Sequence, residues 1–233
     1  MERFSGSVFR QYSRYRGKVL KMQTIISQVK QFEQNSGVKW TPVTFHSNKI
    51  LIPYNRRVKP MRFCEAIAVS RGEEITFTSD ILCCDGAKRS FGWLKDKDGE
   101  LAARLADKSG MDITTTNKVI SQVPKLDEEI LAVSIGNYSN PDVLISYVEP
   151  EDVMRLLRSW QKLFGQNLSV KLSSVMAVCG NVAVASFIDN RITISFGCPD
   201  SRKYGGIDQN QLVVGLPFKL AMQLNEKGSM PNI

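Results

Sequence analysis

Two stretches of this chain echo one another, and a repeat constrains a fold more tightly than composition does. Laid over "CEAIAVSRGEEITFTSDILCCDGAKRSFG", the later "CGNVAVASFIDNRITISFGCPDSRKYG" pairs Cys64 with Cys179, Ala68 with Ala183, Val69 with Val184, Ile75 with Ile192, Thr76 with Thr193 and Cys84 with Cys198. Both later cysteines lead into an Asp-containing turn and a run of cation, aromatic and glycine: Lys88, Arg89, Phe91 and Gly92 in one, Arg202, Lys203, Tyr204 and Gly205 in the other. A true repeat of this kind places two similar cysteine-turn-basic units about a pseudo-two-fold axis, facing one site.

Around the repeat, the pattern alternates between helical and strand periods. "KVLKMQTIISQVKQFEQNSG" predicts an amphipathic helix over 18–35. The proline-interrupted "VKWTPVTF" and "KILIPYN" read as edge strands or loops. A helix follows Pro60 and contains Cys64. "EEITFTSD" is a strand that leaves Cys84 at a strand-to-loop boundary, with Cys83 packing on the opposite face. "GELAARLADKSG" and "TTTNKVISQVPKL" are short helices, the second stopped by Pro124. "EILAVSI", "DVLISYV", "RITISFG" and "QLVVGLP" are strands. A helix from "EPEDVMRLLRSWQKLFG" carries acids in its first turn, and a last helix lies near "FKLAMQL".

The result is an α+β fold, a mixed and mainly antiparallel sheet with flanking helices in two pseudo-symmetric halves. A basic arm over 1–17 precedes a single domain over 18–227, with halves of about 18–125 and 126–227, and a tail over 228–233 ends the chain. No βαβ rhythm or dinucleotide fingerprint is present. No run approaches the roughly 20 apolar residues of a membrane span. The charged start, "MERFSGSVFRQYSRYRGK", lacks the apolar core of a signal peptide, and the five cysteines show no disulfide spacing, so a reducing cytoplasm is expected. The net charge of +8 and the aromatics of the arm (Phe4, Phe9, Tyr12, Tyr15) permit nucleic-acid binding. A solvated tail is the favoured reading of that arm.

Cys64, Cys84, Cys179 and Cys198 suffice in number for an iron–sulfur cluster or a closed zinc site. They lack C-x-x-C spacing, so any such site must be assembled by the tertiary fold. One histidine, His46, sits in the polar "FHSN" and reads as solvated, which leaves little scope for Cys/His ligation. Buried core cysteines and reactive thiols remain alternatives. Cys179, in an apolar stretch, fits a core role best; Cys84 and Cys198, beside polar turns and cations, fit it worst. Ser201, Arg202, Lys203 and Tyr204 form a second candidate, a loop able to hold a carboxylate or phosphate, or to offset the charge of a thiolate centre.

"RFCEAIAVSRGEEITFTSDILCCDGAKRSFGW" and "GCPDSRKYGGIDQNQLVVGLPF" together resemble domain of unknown function family one-six-nine, of archaea and bacteria. Its members share a Cys-plus-Gly-Ala segment in mid-chain and a Gly-Cys-x-x-Ser-Arg-x-Tyr segment near the end. The likeness spans roughly residues 18–227. It implies one domain, a cytoplasmic setting and often an anaerobic or methanogenic host, and it supplies no activity. Carried over by position, the family's cysteines are Cys64, Cys84, Cys179 and Cys198, with Ser201, Arg202 and Tyr204 in the terminal block. This chain departs in having Cys83 beside Cys84 and the arm over 1–17. The leading expectation is a cysteine-ligated metal centre, an iron–sulfur cluster first, serving electron transfer with a redox partner or cofactor handling. A metal-free module for an anionic small molecule and a nucleic-acid binder are the alternatives.

Overall fold

The computed structural model describes residues 22–47, 59–70, 73–94, 99–126, 130–136 and 139–227. The arm over 1–17, the tail over 228–233 and all of "KILIPYN" lie outside the described residues.

Strand alternation builds the centre of the molecule. β1 (Thr41–His46), β2 (Ile75–Phe77), β3 (Ala132–Ile135), β4 (Val143–Val148), β5 (Thr193–Ser195) and β6 (Leu212–Pro217) form one six-stranded sheet in the order β2-β3-β1-β4-β6-β5, with every neighbouring pair antiparallel. Val43, Phe45, Val133, Ile135, Val143 and Ile145 belong to one buried apolar cluster, whereas Leu144, Val148, Val214 and Leu216 belong to a second. Successive side chains point to opposite faces, so each face has its own core.

On the second face lie α1 (22–36), α6 (Pro150–Phe164) and α9 (Phe218–Lys227), which supply Phe32, Leu156, Trp160 and Leu224. α6 begins as its sequence dictates: Pro150 occupies the first turn, the Asp152 carboxylate accepts from the Glu149 N–H at 3.2 Å, and Gly165 ends the helix in the left-handed region. On the first face lie α2 (Phe63–Val69), α3 (Asp85–Ser90), α4 (Glu100–Ser109), α5 (Ile113–Gln122) and a π-helical turn (Cys179–Val184) that runs into α7 (Ala185–Asp189). α8 (Pro199–Tyr204) packs against α2.

The two halves repeat one plan, the first running through β3 rather than ending near residue 125. β1, α2, β2, α3 and β3 correspond in order to β4, the π-helical turn, β5, α8 and β6. The strand order reads the same from either edge, with β1 and β4 antiparallel at the centre, as a two-fold axis through the sheet requires. α4 and α5 are inserted in the first half and α6 in the second. Helix contacts cross between the halves, α2 on α8 and α3 on the π-helical turn. The repeat shifts the sequence pairing of its strands by one residue. Ile75 lies in the first apolar cluster and Ile192 in the second, while the Thr193 hydroxyl bonds to the Val182 carbonyl of the π-helical turn at 3.1 Å. Thr193 is therefore the counterpart of Ile75.

Several expectations change. Cys83, expected to pack on the opposite face of a strand, is exposed and lies outside the named strands. β1 is a central strand despite Pro42. The Pro42 carbonyl accepts from the Gly136 N–H at 2.8 Å, at the end of β3. A strand residue's N–H and carbonyl point to the same side, so the missing donor faces the end of the β3 ladder and β4 loses no bond. The turns expected after Cys84 and Cys198 are six-residue helices, α3 and α8, and each cysteine is the N-cap immediately before its helix. His46 ends β1 half-buried, with Nε2 2.8 Å from the Ser134 hydroxyl. Burial lowers its pKa, opposed by the Glu74 carboxylate.

A candidate four-cysteine site

Each half delivers one cysteine from within a helix and one from a helix start. Cys64 is the second residue of α2 and Cys179 the first of the π-helical turn, and both are buried. Cys84 and Cys198, half-buried, occupy the N-cap positions of α3 and α8. The crossed packing of α2 on α8 and α3 on the π-helical turn sets all four along one cavity, whose apolar wall includes Phe63, Leu105, Val175 and Met176. About 50 Å³ of free space lies inside, room for roughly four waters or a small inorganic group.

Glycine makes both crossings possible. A Cβ on Gly205 would stand 2.6 Å from the Ser201 carbonyl oxygen and 3.2 Å from both Cβ and the carbonyl oxygen of Cys64. One on Gly180 would stand 2.4 Å from Val123 and 2.9 Å from the Ser90 hydroxyl. The π-helical turn is held by i+5 bonds, Asn181 N–H to Met176 carbonyl at 3.0 Å and Ala183 N–H to Val178 carbonyl at 2.9 Å. Its wider winding is a feature often met at functional sites. Met176 itself takes a positive φ of 50° and packs on Gly86, where a Cβ would meet its Cγ at 2.8 Å.

Polar groups fix the cysteine backbones. The buried Tyr147 hydroxyl donates to the Cys64 carbonyl at 2.9 Å, and Ser90 Oγ lies 3.7 Å from Cys179 Sγ. Ser201 Oγ accepts from the Cys198 N–H at 2.7 Å and donates to the Cys198 carbonyl at 2.9 Å. Where the lining reaches solvent, Asp200 pairs with Lys108 Nζ at 3.2 Å and with Arg62 Nε at 3.5 Å.

Of the second candidate set, only Ser201 lines the cavity. Positions 198, 201 and 205 share one face of α8, whereas Arg202, Lys203 and Tyr204 lie outside the cavity lining. Arg202 is spent on the chain itself, donating to the carbonyls of Phe196 (2.8 Å), Ile207 (3.4 Å), Asp208 and Gln211 (3.0 Å). It therefore closes the loop between β5 and β6 rather than facing the thiols. Lys203 is exposed, and Tyr204, 39% exposed, carries the Arg62 guanidinium 3.8 Å above its ring. Asp200 and Gly205 stood in the repeat without a role, and Lys108, Tyr147 and Gly180 belong to the site without having announced themselves in the sequence.

Burial dominates the electrostatics. It pushes the Cys64 thiol up, with Cys198 and Cys84 adding to the effect. Cys84 also moves up through burial, against the pull of the Ala87 N–H, and Cys179 moves well up for the same reason. That the thiols perturb one another reflects their proximity. Among the described residues, however, no group of three or more His, Cys, Asp or Glu side chains is arranged to hold a single metal ion as it stands.

A family model for an uncharacterised ArCR protein, a domain of unknown function, matches residues 33–227. This chain belongs to family one-six-nine. An uncharacterised protein of Methanocaldococcus jannaschii is 27% identical over 165 residues, 67% of this chain and 71% of the relative. No solved structure matches the chain. Among the described residues of this family member, no helix is long and apolar enough to cross a membrane.

Raised thiol pKa values have a directional consequence. In the metal-free protein the unfolded cysteines ionise near pH 8.5 while Cys64, Cys84 and Cys179 hold their protons in the folded state. The stability they contribute is full below about pH 8.5 and is lost as pH rises toward the folded values. Alkylation at pH 8, mapped by mass spectrometry, is expected to modify the exposed Cys83 first and Cys64 and Cys179 only on unfolding. Equal rates at Cys83 and Cys179 would contradict the buried placement.

Proposed function

We propose that this member of family one-six-nine binds a thiolate-ligated metal centre, an iron–sulfur cluster, through Cys64, Cys84, Cys179 and Cys198, and serves electron transfer or cofactor handling. One observation carries the reading: four cysteines, two from each pseudo-symmetric half, line a single small cavity. The soft sulfur donors suit iron–sulfur chemistry.

When bound, such a cluster supplies a one-electron couple. The chain's residues do the rest. Phe63, Leu105 and Met176 limit water, the Tyr147 and Ser201 hydrogen bonds hold two cysteine backbones in place, and Lys108 and Arg62 offset negative charge near the opening. Burial keeps the Cys64, Cys84 and Cys179 thiols neutral until their protons are displaced. Five cysteines without a disulfide fit a reducing compartment such as the cytoplasm.

Anaerobic purification, or reconstitution with ferrous iron and sulfide, is expected to give a brown protein with matched iron and acid-labile sulfide. A colourless, iron-free protein after both procedures would overturn the reading.

A further inference from the structure

We infer that the rim of the four-cysteine cavity is a docking surface for a small acidic electron-transfer protein, an inference that rests on the cavity holding a redox centre. A chain of contacts joins the rim into one patch. Asp200, which lines the cavity, is paired with Lys108 and Arg62; Arg62 lies over the Tyr204 ring, and Lys203 Nζ lies 5.2 Å from the same ring. Two cations thus pair with one carboxylate, and a third lies beside the same ring. The neighbouring carboxylates Asp85 and Glu100 share Arg104 and leave one negative charge, so the patch keeps a smaller positive excess, centred on the exposed Lys203.

The patch has the anatomy of a transient interface. Tyr204 offers an exposed aromatic surface, and the cations around it select carboxylates and speed encounter. It sits beside Cys84 and Cys198, which are the less buried of the four thiols. A protein docked there approaches the cavity from the side of its less buried thiols. One electron leaves the reduced partner and enters the centre; the partner is oxidised, the centre is reduced, and no bond to the chain forms or breaks. Electron-transfer encounters need only a small interface.

The test mixes the reconstituted protein with a chemically reduced, acidic plant-type [2Fe–2S] ferredoxin in an anaerobic stopped flow. The second-order rate is expected to fall about tenfold between about 0.05 and 0.5 M salt. Lys203→Glu is expected to lower the low-salt rate roughly fivefold with the visible spectrum intact. A rate indifferent both to salt and to Lys203→Glu overturns the surface. Calorimetric titration of oxidised ferredoxin onto the metal-free protein reads docking separately from the centre. Binding there without any cluster loading supports the surface while removing the cluster; absence of binding in both forms overturns the surface. So does a single-stranded RNA that binds more tightly than ferredoxin and loses that binding in Lys203→Glu.

Discussion

Gly205→Ala is expected to cost about 1–3 kcal/mol of stability and to abolish metal loading. Gly205 has an ordinary negative φ of −86°, so the cost is one of space. The atoms its Cβ would meet are the Ser201 carbonyl at 2.6 Å and the Cys64 backbone at 3.2 Å, and backbone atoms inside packed helices cannot swing aside. The Ser201 clash lies within α8 itself and is relieved only by distorting its last turn, whereas the Cys64 contact is relieved by shifting α8 from α2, which draws Cys198 away from Cys64. Gly180→Ala meets side chains instead, Val123 Cγ1 at 2.4 Å and the Ser90 hydroxyl at 2.9 Å, and presses the π-helical turn away from α3, which separates Cys179 from Cys84. Gly206→Ala is the control. Nothing lies within 4 Å of its Cβ position, and its φ of +65° costs about 1 kcal/mol of strain without moving either helix. Urea midpoints and bound iron distinguish the three. Full iron content in Gly205→Ala and Gly180→Ala would show that the helix crossings do not set the site.

Serine replacement of any one of Cys64, Cys84, Cys179 and Cys198 is expected to remove nearly all bound iron and visible absorption, whereas Cys83→Ser keeps both. Cys83 is exposed and absent from the cavity lining, although it adjoins Cys84. Loaded wild-type protein is also expected to melt above the metal-free form, because a ligand at about 100 times its Kd adds about 2.7 kcal/mol. The four variants lose that increment and Cys83→Ser retains it. Loading strengthens as pH rises, since the thiols must surrender protons. Equal loss of iron in Cys83→Ser and Cys84→Ser, with retention in Cys179→Ser, would move the site out of the cavity.

Much of the framework was legible because its signals are local. α4, α5, α6 and α9 carry helical spacing or caps, and β3, β4 and β6 are apolar runs of strand length. β1 misled because Pro42 normally marks an edge, and only its position at the end of the β3 ladder makes it harmless. α3 and α8 have six residues each, too short for a period, and read as turns. The π-helical turn is buried on every side and presents no polar face. For the site, matching Cys64 with Cys179 and Cys84 with Cys198 isolated four cysteines from five. Arg202, Lys203 and Tyr204 were grouped with Ser201 by adjacency, and the rotation of α8 separated them.

The sequence by itself determined that this chain carries two copies of a cysteine-strand-cysteine unit, because that pattern lies within short stretches of chain. Only the tertiary structure decided that the four cysteines share a cavity. Their meeting depends on a two-fold sheet that crosses the helices of one half onto those of the other, and on two glycines without side chains where those helices touch. These are contacts between residues far apart in the chain, for which local periodicity carries no signal.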